Sequence, residues 1–220
     1  MTVTKVLAAV VAGIAAFAGG VWLALLNPEG FNLGNSSAQS APSSSASASP
    51  SPTPSLVTPV PYRGEALVFG DFVVVSARKC LGKLDFLVDG KAERRLQDGL
   101  ADLKAQAADL PDGVVIALGG NGGATDEDLD AVMDVLGPDR VVVWSTIQVP
   151  DDPKRYTFED ETNAAIGQLA ERHPNVRIMS WNAFSRTNPD WLNKDGTMTK
   201  QGCQAFADYA DQVLRLPAGQ

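Results

Sequence analysis

Three short stretches carry residue types on which hydrolytic or acyl-transfer chemistry draws: Gly70-Asp71-Phe72, Gly119-Gly120-Asn121-Gly122 and Asp195-Gly196-Thr197-Met198. An aspartate can move a proton, and an asparagine amide can donate to an oxyanion. Covalent catalysis also needs an activated nucleophile and a base within reach of it. Ser76 reads as an ordinary helix serine. His173, the single histidine, precedes Pro174 at a helix end, and its position puts it at the far end of the sheet as a solvated surface residue. One histidine and two distant cysteines do not approach zinc-ligand spacing. Asp126, Glu127, Asp128 and Asp130 lack a calcium-loop pattern and suit the first turn of a helix. Gly119 to Gly123 is followed by no Lys-Ser/Thr pair, so it is not a phosphate loop. No metal and no cofactor is expected.

The elements that must position these residues alternate from Glu65 onward. Ala66 to Phe69 is a first buried strand and Leu84 to Val88 a second. A helix from about Glu93 to Ala108 places Leu96, Leu100 and Leu103 on one face. Gly113 to Leu118 is an apolar run of strand length between Pro111-Asp112 and the glycine cluster. A helix from about Thr125 to Leu136, a strand over Arg140 to Thr146, a helix from Phe158 to Arg172, a strand at Val176 to Met179 and a last helix from Lys200 to Leu214 complete the order. Continuous apolar strands separated by helices predict a parallel sheet covered on both faces: a three-layer α/β/α, flavodoxin-like domain over 62–217. Such sheets carry their sites at the carboxyl ends of the strands, where Phe72, Asn121 and Asp195 fall. Trp144, Trp181 and Trp191 lie near strand ends or the last loop, suited either to stacking on a sugar or to core packing.

The net charge of −8 is confined to the C-terminal part, because Glu29 is the only charged side chain between Lys5 and Arg63. An acidic domain lacks the positive footprint that nucleic acid requires. Residues 1–27 contain an uncharged run from Val6 to Leu26, long enough to cross a bilayer as a signal-anchor helix. A cleaved signal peptide is the alternative. Lys5 before the run and Glu29 after it put the C-terminal domain outside the membrane. Residues 28–61, rich in Ser, Ala and Pro, predict a disordered linker. In that compartment the two cysteines, Cys80 and Cys203, invite a disulfide; two buried free thiols are the alternative.

Four blocks over about 65–214 resemble those of the SGNH (GDSL-type) hydrolases, and most closely the extracytoplasmic domains that accompany bacterial acyltransferase-3 membrane proteins. Phe69-Gly70-Asp71-Phe72 is similar to the Gly-Asp-Ser opening, with Phe72 in place of the nucleophilic serine. Val88-Asp89-Gly90-Lys91-Ala92-Glu93-Arg94-Arg95 resembles Val-Asp-Ala-x-Val-Gly-Arg-Gln, with Glu93 where an oxyanion glycine stands. Leu118 to Gly122 is similar to Gly-Thr-Asn-Gly and keeps Gly120 and Asn121. Trp191 to Thr199 resembles the Asp-Gly-Val-His stretch and keeps Asp195, with Met198, or Thr197, in place of the base. The resemblance implies an ester hydrolase or O-acetyltransferase fold from which nucleophile and base are missing, with no catalytic residue left. Phe72 is then expected to fill the nucleophile pocket. Asp71, Gly120, Asn121 and Asp195 either hold a ligand or only brace their loops. Three functions remain open: an inactive module binding cell-wall carbohydrate or a membrane acyltransferase, an esterase or O-acetyltransferase of non-standard mechanism, and a structural spacer without a ligand.

Overall fold

The computed structural model describes Tyr62 and residues 64–216. Five parallel strands run β1 Ala66–Gly70, β2 Leu87–Gly90, β3 Gly113–Ala117, β4 Val141–Ser145 and β5 Val176–Met179, in the order β2-β1-β3-β4-β5. The helices are α1 Phe72–Leu81, α2 Leu96–Ala105, α3 Asp126–Leu136, α4 Glu159–Arg172, α5 Trp181–Arg186 and α6 Lys200–Arg215. Strand residues alternate between two cores, as a pleat of period two requires. Val68, Val115, Val143 and Met179 pack with Val74, Ala77, Phe206 and Ala210 of α1 and α6. Phe69, Ile116 and Trp144 pack with Leu103, Leu129 and Ile166 of α2, α3 and α4. Each such side chain contributes about 1.5–3 kcal/mol by leaving water. The three-layer expectation holds.

Several boundaries differ from the sequence pattern for local reasons. The second strand starts at Leu87 rather than Leu84, because Gly82–Leu84 forms a 3-10 turn and Asp85 follows in the left-handed region at φ 59°. The expected helix from Glu93 begins only at Leu96, since Arg94 is drawn into the domain and Arg95 is the cap. The short helix α5 was not expected. Thr125 caps α3 by accepting from the Asp128 N–H, which puts Asp126, Glu127 and Asp128 in the first turn as anticipated. The open side of edge strand β2 is covered by Arg78, which donates to the carbonyls of Val88 (3.3 Å) and Gly90 (2.9 Å).

Cys80 on α1 and Cys203 on α6 are disulfide-bonded, with Cα atoms 5.8 Å apart and 123 residues between them in sequence. The alternative of two free thiols is therefore not what the fold contains. Among the described residues no helix is long and apolar enough to cross a membrane. The expected signal-anchor (1–27) and linker (28–61) lie outside the described residues.

Candidate functional site

The sheet reverses direction of winding between β1 and β3, and the crevice at their carboxyl ends is where such folds place a site. The two strand ends approach closely. A Cβ at Gly70 would lie 2.2 Å from the Ala117 carbonyl oxygen, so only glycine fits. Next along β1, Asp71 caps α1 and is 1% exposed. Its Oδ1 accepts from the Val73 N–H (3.1 Å) and its Oδ2 from the Gly120 N–H (3.0 Å). Burial pushes its carboxyl up to about 7, outweighing the two N–H groups and the more distant Arg94 charge that favour ionisation. Beside it, walled partly by Ser145, lies a cavity of about 10 Å³, at the lower limit for a single water.

Phe72 is the first residue of α1 and half-buried. Its ring lies between two loops of the crevice. A Cβ at Gly120 would sit 2.7 Å from Phe72 Cε1, and one at Gly196 would sit 3.4 Å from Cε2. Gly196 adopts φ 81°, a turn conformation that favours glycine. Asn121 is engaged by the protein itself. Its Nδ2 donates to the carbonyls of Ala92 (2.7 Å) and Arg94 (3.1 Å), so both amide hydrogens clamp the loop after β2. Glu93, on that same loop, is exposed.

Asp195 is fully exposed at the rim. Its Oδ1 accepts from the Thr197 hydroxyl (2.6 Å) and the Thr197 N–H (3.0 Å), which hold its carboxyl below the usual range. Met198, in the base position, is buried in the α1/α6 core and bridges to Leu192. The fold thus gathers Asp71, Phe72, Gly120 and Gly196 in one place, with Asn121 and Asp195 engaged at its margins. Among the described residues no cluster of His, Cys, Asp and Glu could hold a metal ion. His173 lies just before β5, at the far end of the sheet as expected, half-buried rather than solvated, with its Nε2 2.8 Å from Asp130 Oδ1. Trp144 and Trp181 are core residues, and Trp191 stacks on Trp181 at 6.1 Å.

Two groups of residues organise this edge, one centred on Arg94 of the second block and one that no motif announces. Arg94 has a fully buried side chain. It donates to the carbonyls of Gly70 and Asp89 (both 2.9 Å) and pairs with the carboxylates of Asp89 (2.8 Å) and Asp102 (3.0 Å). Its guanidinium also lies 4.0 Å over the Phe69 ring. Lys91 and Arg94 together hold Asp102 below the usual carboxylate range. Arg94→Met is expected to cost about 3 kcal/mol, read as the shift in urea midpoint, because it removes the buried charge partner of Asp89 and Asp102 and a donor to the Gly70 and Asp89 carbonyls. Arg94→Lys should recover only part, since one ammonium cannot reach four oxygens.

The second group sits on the first turns of α4. Buried Glu159 accepts from the Val149 N–H (2.9 Å) and Asn182 Nδ2 (2.7 Å) and pairs with Arg186. Thr162 accepts from the Ala124 N–H (3.1 Å), and Asn163 brackets Ile147 through its N–H (2.7 Å) and carbonyl (2.9 Å). Residues at spacings of three and four on a helix share one face. In sequence that polar face is indistinguishable from a solvated one. It supports a cleft of about 1170 Å³ between the loop 148–157 and the segment 185–196, next to Asp195 and Gly196.

No family model matches the chain. O-acetyltransferase OatA of Staphylococcus aureus is 30% identical over 162 residues, which is 71% of this chain and 26% of that protein. A putative O-acetyltransferase of the same species is 30% identical over 132 residues, 58% of this chain and 21% of the relative. The chain thus spans about a quarter of the length of the curated relatives it matches. Among solved structures, the C-terminal catalytic domain of Streptococcus pneumoniae peptidoglycan O-acetyltransferase A, determined with a methylsulfonyl adduct, superposes with a TM-score of 0.61. Sequence identity is 20%, covering 70% of this chain and 94% of that domain. A lipolytic G-D-S-L family protein from Veillonella parvula gives 0.56 at 14% identity over 68% and 97% of the two chains. From the apolar strands, the reversal at β1/β3, the blocks along the carboxyl edge and these likenesses together, residues 64–216 have the fold of the SGNH (GDSL-type) hydrolase-like domains.

Proposed function

We propose that this domain is an O-acetyltransferase-like module of the cell envelope that has lost its chemistry and retains a binding role. It is held outside the membrane by the segment before residue 62, with a cell-wall glycan or a membrane acyltransferase as its partner. The observation that carries this is the Phe72 ring, lying between Gly120 and Gly196 where an acyl acceptor would need to enter. Three further features support it. Met198 is a core residue, both Asn121 amide hydrogens are spent on carbonyls, and Asp195 is satisfied by its own turn. Transition-state charge would therefore meet neither a base nor the amide donor that acyl transfer relies on.

One observation favours the alternative, an enzyme of non-standard mechanism: the carboxyl of Asp71, raised to about 7, is poised for proton transfer near neutral pH. Both its oxygens, however, accept backbone N–H groups, and the adjoining space is about 10 Å³, too small for an ester. Hydrolysis of 4-nitrophenyl acetate by the chain and by its Phe72→Ser variant, each beside an Asp195→Asn control, separates the readings. Neither protein is expected to exceed its control. Turnover created by Phe72→Ser alone would overturn the claim that the base is missing as well, and wild-type turnover abolished by Asp195→Asn would overturn the inactive reading.

A further inference from the structure

We propose that the β2 edge of the sheet is a docking site for an extended, acidic segment of a partner protein. In that segment carboxylates alternate with apolar side chains, and it adds to the sheet beside β2. The inference goes beyond the reading of the crevice and does not depend on what the crevice binds.

The edge offers main-chain groups. The Lys91 N–H donates to the Gly70 carbonyl of β1 (3.1 Å), so by the alternation of a strand the backbone groups of Gly90 and Val88 point away from β1. Arg78, exposed on α1, donates to their two carbonyls, and no strand of the sheet pairs with the N–H groups beside them. An incoming strand replaces Arg78 at those carbonyls with its own N–H groups and returns carbonyls to Val88 and Gly90. The released guanidinium then pairs with a carboxylate of the incoming segment, so the group that caps the free edge becomes part of the contact.

The flanking side chains select the sequence. Val75 and Leu87 are the exposed large apolar residues among the described ones, at 40% and 47%, and they flank β2 on opposite faces. Leu87 is in register with Leu67, which enters the α2/α3/α4 core, whereas Val88 packs against the α1/α6 core. Arg78 and Lys79 follow Val75 at spacings of three and four and share its side of α1, and Lys83 lies on the turn that leads to β2. Lys79 and Lys83 form no salt bridge among the described residues. Side chains of an added strand alternate as well: one set meets Arg78 and Lys79, the other Leu87. The segment 76–95 holds six basic side chains against three acidic ones, in a chain of net charge −8. An acidic partner is therefore drawn to this edge and repelled elsewhere. An anionic lipid surface would meet the same cations but has no row of N–H groups for the two carbonyls.

Titration of the full, isotope-labelled chain with a capped octapeptide of alternating glutamate and valine, followed by backbone amide shifts and hydrogen exchange, tests the proposal. The expected result is saturable shifts confined to residues 75–91, slowed exchange of the Val88 and Gly90 amides, and affinity falling by about fivefold in Lys79→Glu. The same peptide N-methylated at every second residue, and a peptide of alternating lysine and valine, should not bind. Absence of shifts, in a protein whose amide spectrum shows it to be folded, would overturn the proposal and leave the reading of the crevice standing. Equal binding of the N-methylated peptide would show capture by charge alone and overturn strand addition. Sedimentation with phosphatidylglycerol vesicles that Lys79→Glu abolishes, without peptide binding, would overturn the assigned partner class in favour of a lipid surface.

Discussion

Replacing Cys80 and Cys203 by serine is expected to cost about 4 kcal/mol of stability, among the largest effects available to any change in this domain. The bond joins α1 to α6 and closes a loop of 123 residues. In the chain-entropy description a loop of that length restrains the unfolded chain by about 5 kcal/mol, and native domains typically deliver somewhat less. The two cysteines are 5% and 7% exposed and embedded in the same apolar core as Val74, Ala77, Phe206 and Ala207. Serine pairs there add hydroxyls with little to bond, so Cys→Ala in both positions is the cleaner comparison and should retain slightly more stability. Urea unfolding with and without reductant measures the effect. Equal midpoints in the oxidised and reduced protein would show that packing alone holds α1 on α6.

A fall in stability on going from pH 4 to pH 7 is the second large expectation. Asp71 keeps its proton in the folded state until about pH 7, whereas the unfolded chain releases it near the ordinary aspartate value of 3.8. Between these values the folded state binds more protons than the unfolded one, so stability is full below pH 3.8 and declines as pH rises toward 7. A difference of this size corresponds to about 4 kcal/mol. Asp102, Asp130 and Asp195 are held low by their partners and act in the opposite sense, losing their contribution as pH falls through their folded values. They face solvent, so their share is small. Asp71→Asn should remove the decline. It should also be less stable than wild type at pH 4.5, because one of the two facing N–H groups then meets an amide N–H. A wild-type profile flat from pH 4.5 to 8 would show that the carboxyl is ionised throughout.

Much of the frame was legible because its causes are local. β5 runs over Val176–Met179 as its apolar residues indicate, and α3 starts after the Thr125 cap that its acidic first turn foretells. The four blocks could be located for the same reason: each is a short run at a strand end. What escaped the sequence depends on atoms far apart along the chain. Nothing near Asn121 says that its amide will be spent on carbonyls of residues 92 and 94. Arg94 falls on the Arg of the second block, but the block does not say that the side chain is drawn between Phe69, Asp89 and Asp102, and that pull delays the start of α2. Glu159 sits among Asp160 and Glu161 and differs from them only in facing a loop that the fold brings there. Polar groups whose partners are set by topology give no periodic signal, and these are the groups that shape both the crevice and the cleft.

The disulfide also sets how the domain answers a mechanical load. Tension applied across Tyr62 and Leu216 enters through β1, an interior strand held on both sides by β2 and β3. Once the Cys80–Cys203 bond comes under load, force passes directly from α1 to α6 and bypasses everything between. At about 3.4 Å per extended residue, only about 100 Å of chain can pay out, and about 400 Å stays locked behind the bond. Stretching would then peel away β1 and most of α1 and α6, while the residues between the two cysteines carry no tension.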